Sequence, residues 1–170
     1  MKSKISKLAG TEFTVEDVNE GKVLTVKDPV EFRYRWATGT AMGRFLAELK
    51  NGRIIGRKCP GCGRVLVPPR MFCEDCFKPT LEWVYVPDTG CVNTFSISHI
   101  ATDASRLSEP VTIAVIELDG PSRGMGFLHY LGEVERGQVR LGLPVKAVWK
   151  PPHERRGAIT DIKYFKPREA

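Results

Sequence analysis

Four of the chain's five cysteines fall between Arg57 and Cys76, as two Cys-x-x-Cys pairs separated by ten residues. Each pair turns two sulfurs toward one point. The intervening sequence GRVLVPPRMF reads as a short hairpin that folds Cys73 and Cys76 back onto Cys59 and Cys62. Four thiolates then close a tetrahedral shell, and zinc fits it with Zn–S bonds of about 2.3 Å. Gly61 and Gly63 stand where a tight knuckle needs a free backbone and amides aimed at sulfur. A closed shell has no place for water, so the metal's expected role is structural. Rubredoxin-type iron takes the same ligands. A redox dithiol is the lesser reading, because one pair would serve it and leave the second unexplained.

The compartment follows from what surrounds the cysteines. The opening MKSKISKLAG is basic but has no apolar run behind it, so no secretory signal is expected. No stretch approaches the roughly 20 apolar residues of a membrane span. A cytoplasmic chain keeps its thiols reduced, which again favours metal over disulfides. The formal net charge of +6 suits nucleic acid, a phosphorylated cofactor or an acidic protein equally, and alone decides nothing. Cys91, outside the cluster, reads as a small buried thiol at the start of an apolar strand.

The chain after Cys76 alternates in short apolar runs. LEWVYVPD and CVNTFSISHI read as one long strand broken at Asp88-Thr89-Gly90. VTIAVIELDG, GMGFLHYLG, LPVKAVWKP and ITDIKYFKP follow. Five strands punctuated by Gly, Pro and Asp predict a small antiparallel barrel, of the size and strand number of an OB-fold. The expected fold is therefore mainly β: an N-terminal helical segment, a rubredoxin-like zinc ribbon and a C-terminal five-stranded OB-fold barrel. The expected boundaries are an extension over 1–30, a helical segment over 31–52, the ribbon over 53–80 and the barrel over 81–170.

Within 1–30 the reading is irregular, with a turn at Asn19–Lys22 and a short strand at Val23–Val26. Met42, Phe45, Leu46 and Leu49 recur at i, i+3, i+4 and i+7 and predict a helix. Thr40 is its expected N-cap and Asn51-Gly52 its stop. Gly39 separates it from a shorter helix carrying Phe32, Tyr34 and Trp36. These aromatics have two readings, packing on the protein's own ribbon or a surface for a partner.

Catalytic groups do not assemble in the sequence. His99, His129 and His153 are scattered, and Asp103, Glu109, Glu117 and Asp119 show no acid–base pairing. Gly124-Met125-Gly126 is too short for a phosphate loop. Arg155 and Arg156 sit in a solvated loop where they could hold a phosphate.

Several motifs together carry a resemblance. Tyr34-x-Trp36-x-x-Gly39, Phe45, Gly56-x-x-Cys59-x-x-Cys62-Gly63, Pro68-Pro69-Arg70 and Cys73-x-x-Cys76 closely resemble the zinc-ribbon/OB-fold acyl-CoA-associated family. GCVNTFSI, IAVIELDG and IKYFKP resemble its barrel. Members are small companions of thiolases and related enzymes. The resemblance implies a non-catalytic accessory subunit that binds a thiolase-like catalytic subunit and helps to form its acyl-CoA site. It also implies a hetero-oligomer, aromatic-compound degradation among its settings, and no enzyme activity for the chain by itself. Tyr34, Trp36, Phe45 and Arg70 are then the expected contacts to the partner or to coenzyme A, with Trp36 and Phe45 as anchors. The alternative is a zinc-ribbon/OB protein that binds single-stranded nucleic acid, by stacking bases on strand aromatics along a basic groove. The strand aromatics Phe95, Phe127, Tyr130, Trp149, Tyr164 and Phe165 are mixed with Glu117 and Asp119, which makes nucleic acid the less expected partner.

Overall fold

The computed structural model describes residues 13–24 and 35–168. The chain divides into two compact units, residues 1–36 and 37–170. In the first, Val15–Asn19 forms a five-residue helix, α1. Its cap is reciprocal. The Asp17 amide donates to Thr14 Oγ1 at 3.2 Å, and the Thr14 amide donates to Asp17 Oδ2 at 2.9 Å. The sequence leads one to expect an irregular stretch here, yet Thr14-x-x-Asp17 carries the capping-box spacing that starts a helix. The turn at Asn19–Lys22 is present, with Gly21 at φ +72. The expected strand at Val23–Val26 lies partly outside the described residues, as do Phe32 and Tyr34. Residues 35–38 are not helical.

The second unit opens with α2, Gly39–Lys50. The N-cap is Thr38, not Thr40, and its side chain makes no capping bond. The stop is where Asn51-Gly52 predicts it. The Arg53 amide donates to the Glu48 carbonyl and the Gly52 amide to the Leu49 carbonyl, both at 2.9 Å. These two bonds satisfy carbonyls that a helix end otherwise leaves open. Arg53 also reaches back to the Glu48 carboxylate at 2.8 Å.

Three strands follow as one antiparallel sheet: β1 (Ile54–Lys58), β2 (Val65–Leu66) and β3 (Glu82–Val86), in the order β2-β1-β3. Here the structure corrects the sequence reading. Glu82–Val86 is not the first half of a barrel strand; it pairs with β1 along its whole length, Ile54 opposite Val86 and Lys58 opposite Glu82. Alternation marks a strand but not which strand it pairs with.

The barrel comprises β4 (Thr89–Ile100), β5 (Arg106–Leu118), β6 (Gly126–Tyr130), β7 (Pro144–Trp149) and β8 (Ile162–Pro167), in the order β6-β5-β4-β7-β8. A parallel bridge between Leu131 and Phe165 closes it, with the Gly132 amide donating to the Phe165 carbonyl at 2.9 Å. This is the expected five-stranded OB-type barrel. Among the described residues no helix is long and apolar enough to cross a membrane.

One apolar cluster joins these elements. Phe45 and Leu49 of α2, Ile54 and Ile55 of β1, and Ile116, Phe127, Val145 and Phe165 of the barrel all belong to it. Full burial of each such side chain contributes roughly 1.5–3 kcal/mol. Phe45 is 1% exposed and packs on Phe127. The expectation that Phe45 anchors a partner is therefore wrong: the helix turns this ring inward, where the barrel supplies the core that a lone ribbon lacks.

Candidate metal centre and the apolar trough beside it

The two Cys-x-x-Cys turns are built alike. The Cys59 amide donates to the Arg64 carbonyl at 2.8 Å, and the Gly63 amide donates to the Cys59 carbonyl at 2.9 Å. Cys73 repeats the pattern with Lys78 and Phe77, both at 2.9 Å. The fifth residue of each turn has positive φ: +74 at Gly63 and +53 at Phe77. Glycine adopts this freely, and phenylalanine adopts it only under the hold of the turn. Gly61 serves a different need, since a Cβ there would lie 3.2 Å from Cys76 Sγ.

The four sulfurs converge. Cys59 and Cys76 Sγ are 3.3 Å apart, Cys62 and Cys73 3.6 Å, and Cys62 and Cys76 3.9 Å, with all four inside 4.8 Å. A tetrahedron of thiolates at the zinc bond length has edges of about 3.8 Å. Cys59 and Cys73 are buried, Cys76 is half-buried and Cys62 is exposed. Without a cation such a set opposes its own ionisation. The Cys62 amide draws the Cys59 thiol down to about 6. At Cys62 the Arg64 amide pulls the same way, but desolvation and the neighbouring sulfurs outweigh it and push the thiol up to about 12. Cys73 is lowered, first by the Cys76 amide. Cys76 is raised: its sulfur neighbours and desolvation outweigh the pull of the Lys78 amide. A divalent cation at the centre removes the conflict, and the chemistry of this donor set suits zinc.

Charged side chains brace the ribbon tip. Arg64, from the first turn, reaches Glu74 at 3.1 Å and Asp75 at 2.5 Å in the second. Arg70 pairs with the same Glu74 at 3.0 Å while staying 51% exposed. Below them Arg57 is buried. Its guanidinium donates to the Thr80 carbonyl and to Met71 Sδ, and it lies 4.7 Å from the centre of the Trp83 ring. Arg44 of α2 approaches the same ring at 5.0 Å. Arg57 thereby ties β1, β3 and the second turn together. The sequence reading missed it, because a charged residue in a five-residue strand does not reveal that it faces inward.

Three apolar grooves that share lining residues, together called the trough, begin at the ribbon. Its first part, of about 450 Å³, is lined by Gly39, Met42, Pro68, Arg70, Met71 and Phe72. Met42 and Pro68 carry it into a second part of about 500 Å³, where Leu46, Phe127, Leu128 and Ile159 join. Leu128 and Ile159 carry it on to a third of about 390 Å³, with His129, Tyr130, Lys150 and Lys163. Met71, Phe72, Phe77 and Leu81 of the ribbon are exposed. Trp36, in the first unit, is 77% exposed, and Tyr34 lies outside the described residues.

The remaining candidates have structural duties. His129 Nδ1 accepts the Tyr130 amide at 2.9 Å, so Nε2 carries the proton and faces the Ile159 carbonyl at 3.3 Å. Burial lowers its pKa, and the ring is neutral with both nitrogens engaged. His99 and His153 are exposed. Cys91 is half-buried rather than buried; desolvation, then Glu117 and Asp119, raise its thiol. Arg155 donates to the Lys150 carbonyl at 2.7 Å and stacks over Trp149. Gly124 begins the approach to β6, its amide donating to Glu117 Oε1 at 2.9 Å.

Two family models match adjacent parts of the chain. Residues 46–82 match the ChsH2 rubredoxin-like zinc ribbon domain, and residues 83–150 match the ChsH2 C-terminal OB-fold domain. A DUF35 domain-containing scaffold protein of Methanocaldococcus jannaschii is 33% identical over 119 residues, 68% of this chain and 82% of that protein. One from Methanothermobacter thermautotrophicus is 26% identical over 118 residues, 68% and 86% of the two chains. Among solved structures, a DUF35-family protein from Sulfolobus solfataricus aligns at 33% identity and TM-score 0.55, covering 65% of this chain and 79% of that one. The Ltp2-ChsH2(DUF35) aldolase shares the fold at 20% identity and TM-score 0.57, covering 78% and 98%.

Proposed function

Because the chain belongs to the family of DUF35 domain-containing scaffold proteins, we propose that it is the non-catalytic accessory subunit of a thiolase-like acyl-CoA enzyme. It binds the catalytic subunit and helps to form or steady that subunit's acyl-CoA site. The observation that carries this reading is the set of large apolar side chains that the ribbon leaves exposed. Met71, Phe72, Phe77 and Leu81 are 49, 57, 79 and 65% exposed around a closed thiol cluster. Four large water-facing apolar groups within eleven residues of sequence favour a surface that another protein covers. Arg70, held by Glu74 at the rim, offers charge to that partner or to a cofactor phosphate. In the first unit Trp36 is exposed, and Trp36 and Tyr34 are proposed as further contacts to the partner in their own right. A solved relative of this fold is an Ltp2-ChsH2(DUF35) aldolase, which agrees with a life beside an enzyme.

The narrower form of the reading is the small subunit of benzoylsuccinyl-CoA thiolase, in the cytoplasm. The test is native co-purification followed by reconstitution. A thiolase-like enzyme should accompany the tagged chain, lose turnover when stripped of it and recover turnover when it returns. Its acyl-CoA preference then decides the narrower form. Turnover by the isolated chain, or an enzyme indifferent to its removal, would defeat the proposal.

A further inference from the structure

Building on that accessory role, we propose that the outer edge of β6 takes an extended acidic segment of the partner enzyme as an added strand. The register fixes which backbone groups face outward. The Leu131 amide donates to the Thr112 carbonyl, and the Leu118 amide to the Met125 carbonyl, both at 3.0 Å. By alternation, Phe127 and His129 also bond to β5, while Gly126, Leu128 and Tyr130, opposite Glu117, Val115 and Ile113, turn their polar groups away from it. The Tyr130 amide is taken by His129 Nδ1. Those of Gly126 and Leu128 meet no protein acceptor among the described residues. The other edge of the sheet, β8, reaches this side at the Leu131–Phe165 bridge, beyond the end of β6.

An open edge of this kind is usually blunted by proline, a bulge or a charge. The sequence GFLHY has none of these and exposes Leu128 by 68% and Tyr130 by 51%. Two grooves, lined by Gly126–Leu128 and by Leu128–Tyr130, lie along this edge. The groove beside Tyr130 also carries Lys150 and Lys163; no ion pair holds either among the described residues, and Lys163 lies over the Tyr164 ring at 5.6 Å. Main-chain bonds supply affinity in strand addition, and flanking side chains supply selectivity. Apolar residues beside Leu128 and Tyr130, with carboxylates for the two lysines, complete the match.

Hydrogen exchange on the purified native complex tests this directly. The Gly126 and Leu128 amides should exchange at least about tenfold more slowly than in the free chain. A complex that forms while both amides exchange as before overturns strand addition and leaves the accessory role standing. Failure to form any complex counts against the accessory role instead. A ten-residue peptide alternating valine and glutamate provides a partner-free probe on the zinc-loaded chain. It should protect Leu128, and the valine–lysine counterpart should not. Leu128→Pro removes only an outward amide, which an edge strand tolerates, and Leu128→Ala keeps it. The proline variant, folded by circular dichroism and zinc content, should bind the acidic peptide at least about tenfold more weakly than the alanine variant. Equal binding by the two, or no protection of Leu128 by the acidic peptide, would overturn the proposal.

Discussion

The ring of Phe45 on α2 lies 5.8 Å from that of Phe127 on β6, tilted by 47°. The helix that precedes the ribbon is thus pinned to a barrel strand far along the chain. Phe45→Ala should leave a cavity at this junction and destabilise the fold by about 3–5 kcal/mol. Thermal unfolding would register this. Unchanged unfolding would show that the helix does not depend on the barrel.

Trp36 stands in contrast, because it is 77% exposed. Trp36→Ala should weaken association with the catalytic subunit by about 2 kcal/mol, some thirtyfold. The unfolding temperature and zinc content should match those of the parent protein. Titration calorimetry against the purified enzyme gives the first value, and full affinity in the variant would remove Trp36 from the contact.

The sulfur geometry predicts about one zinc per chain. Cys62→Ser keeps an exposed position filled but withdraws one ligand, so the ribbon should loosen and zinc retention against a chelator should fall. Arg64→Ala should do the same to a lesser degree, because Arg64 ties Glu74 and Asp75 to the first turn. Elemental analysis without zinc, or an iron–thiolate absorbance, would contradict the assignment.

Asp161 sets a pH dependence. Burial pushes its carboxyl up, but the amides of Arg156, Gly157 and Ala158, at 2.9, 2.7 and 3.2 Å, outweigh this and hold it below the ordinary value. A depressed folded pKa means that the stabilisation is present above the unfolded value of about 3.9 and is lost as pH falls through the folded value. Asp161→Asn should cost about 2 kcal/mol at neutral pH. The gap to the parent protein should close below about pH 4. Thermal unfolding between neutral and acid pH measures both, and a constant gap would assign the loss to packing.

A basic chain meets nucleic acid weakly and through its charge. Binding to a single-stranded oligonucleotide should be lost by about 0.2 M salt. A submicromolar complex that survives such salt would favour the nucleic-acid reading over the accessory one.

The parts legible in the sequence were those with a local cause. Two Cys-x-x-Cys turns need only their own backbone, and Asn51-Gly52 ends a helix by nearby bonds. Pairing and orientation depend on distant residues. The alternation in Glu82–Val86 is the same whether its neighbour is β1 or a barrel strand. The helical spacing of Phe45 shows a face without showing that Phe127 covers it. The trough is harder still to read, because Pro68, Met42, Leu128 and Ile159 come from four separate stretches. Arg57 offered no signal, since its acceptor is the backbone of Thr80 and its second neighbour is the ring of Trp83.

The membership of β3 has a consequence for inheritance. The two matched segments meet between Glu82 and Trp83, inside a strand that is paired with β1 from end to end. A recombination event at that seam would hand the donor a frayed sheet and the recipient an orphaned strand. The connection that leaves both sheets whole is Pro87-Asp88, between Val86 and Thr89. Ribbon and barrel can be exchanged among relatives as modules only when the cut falls there. Even then Phe45 must find a new counterpart for Phe127.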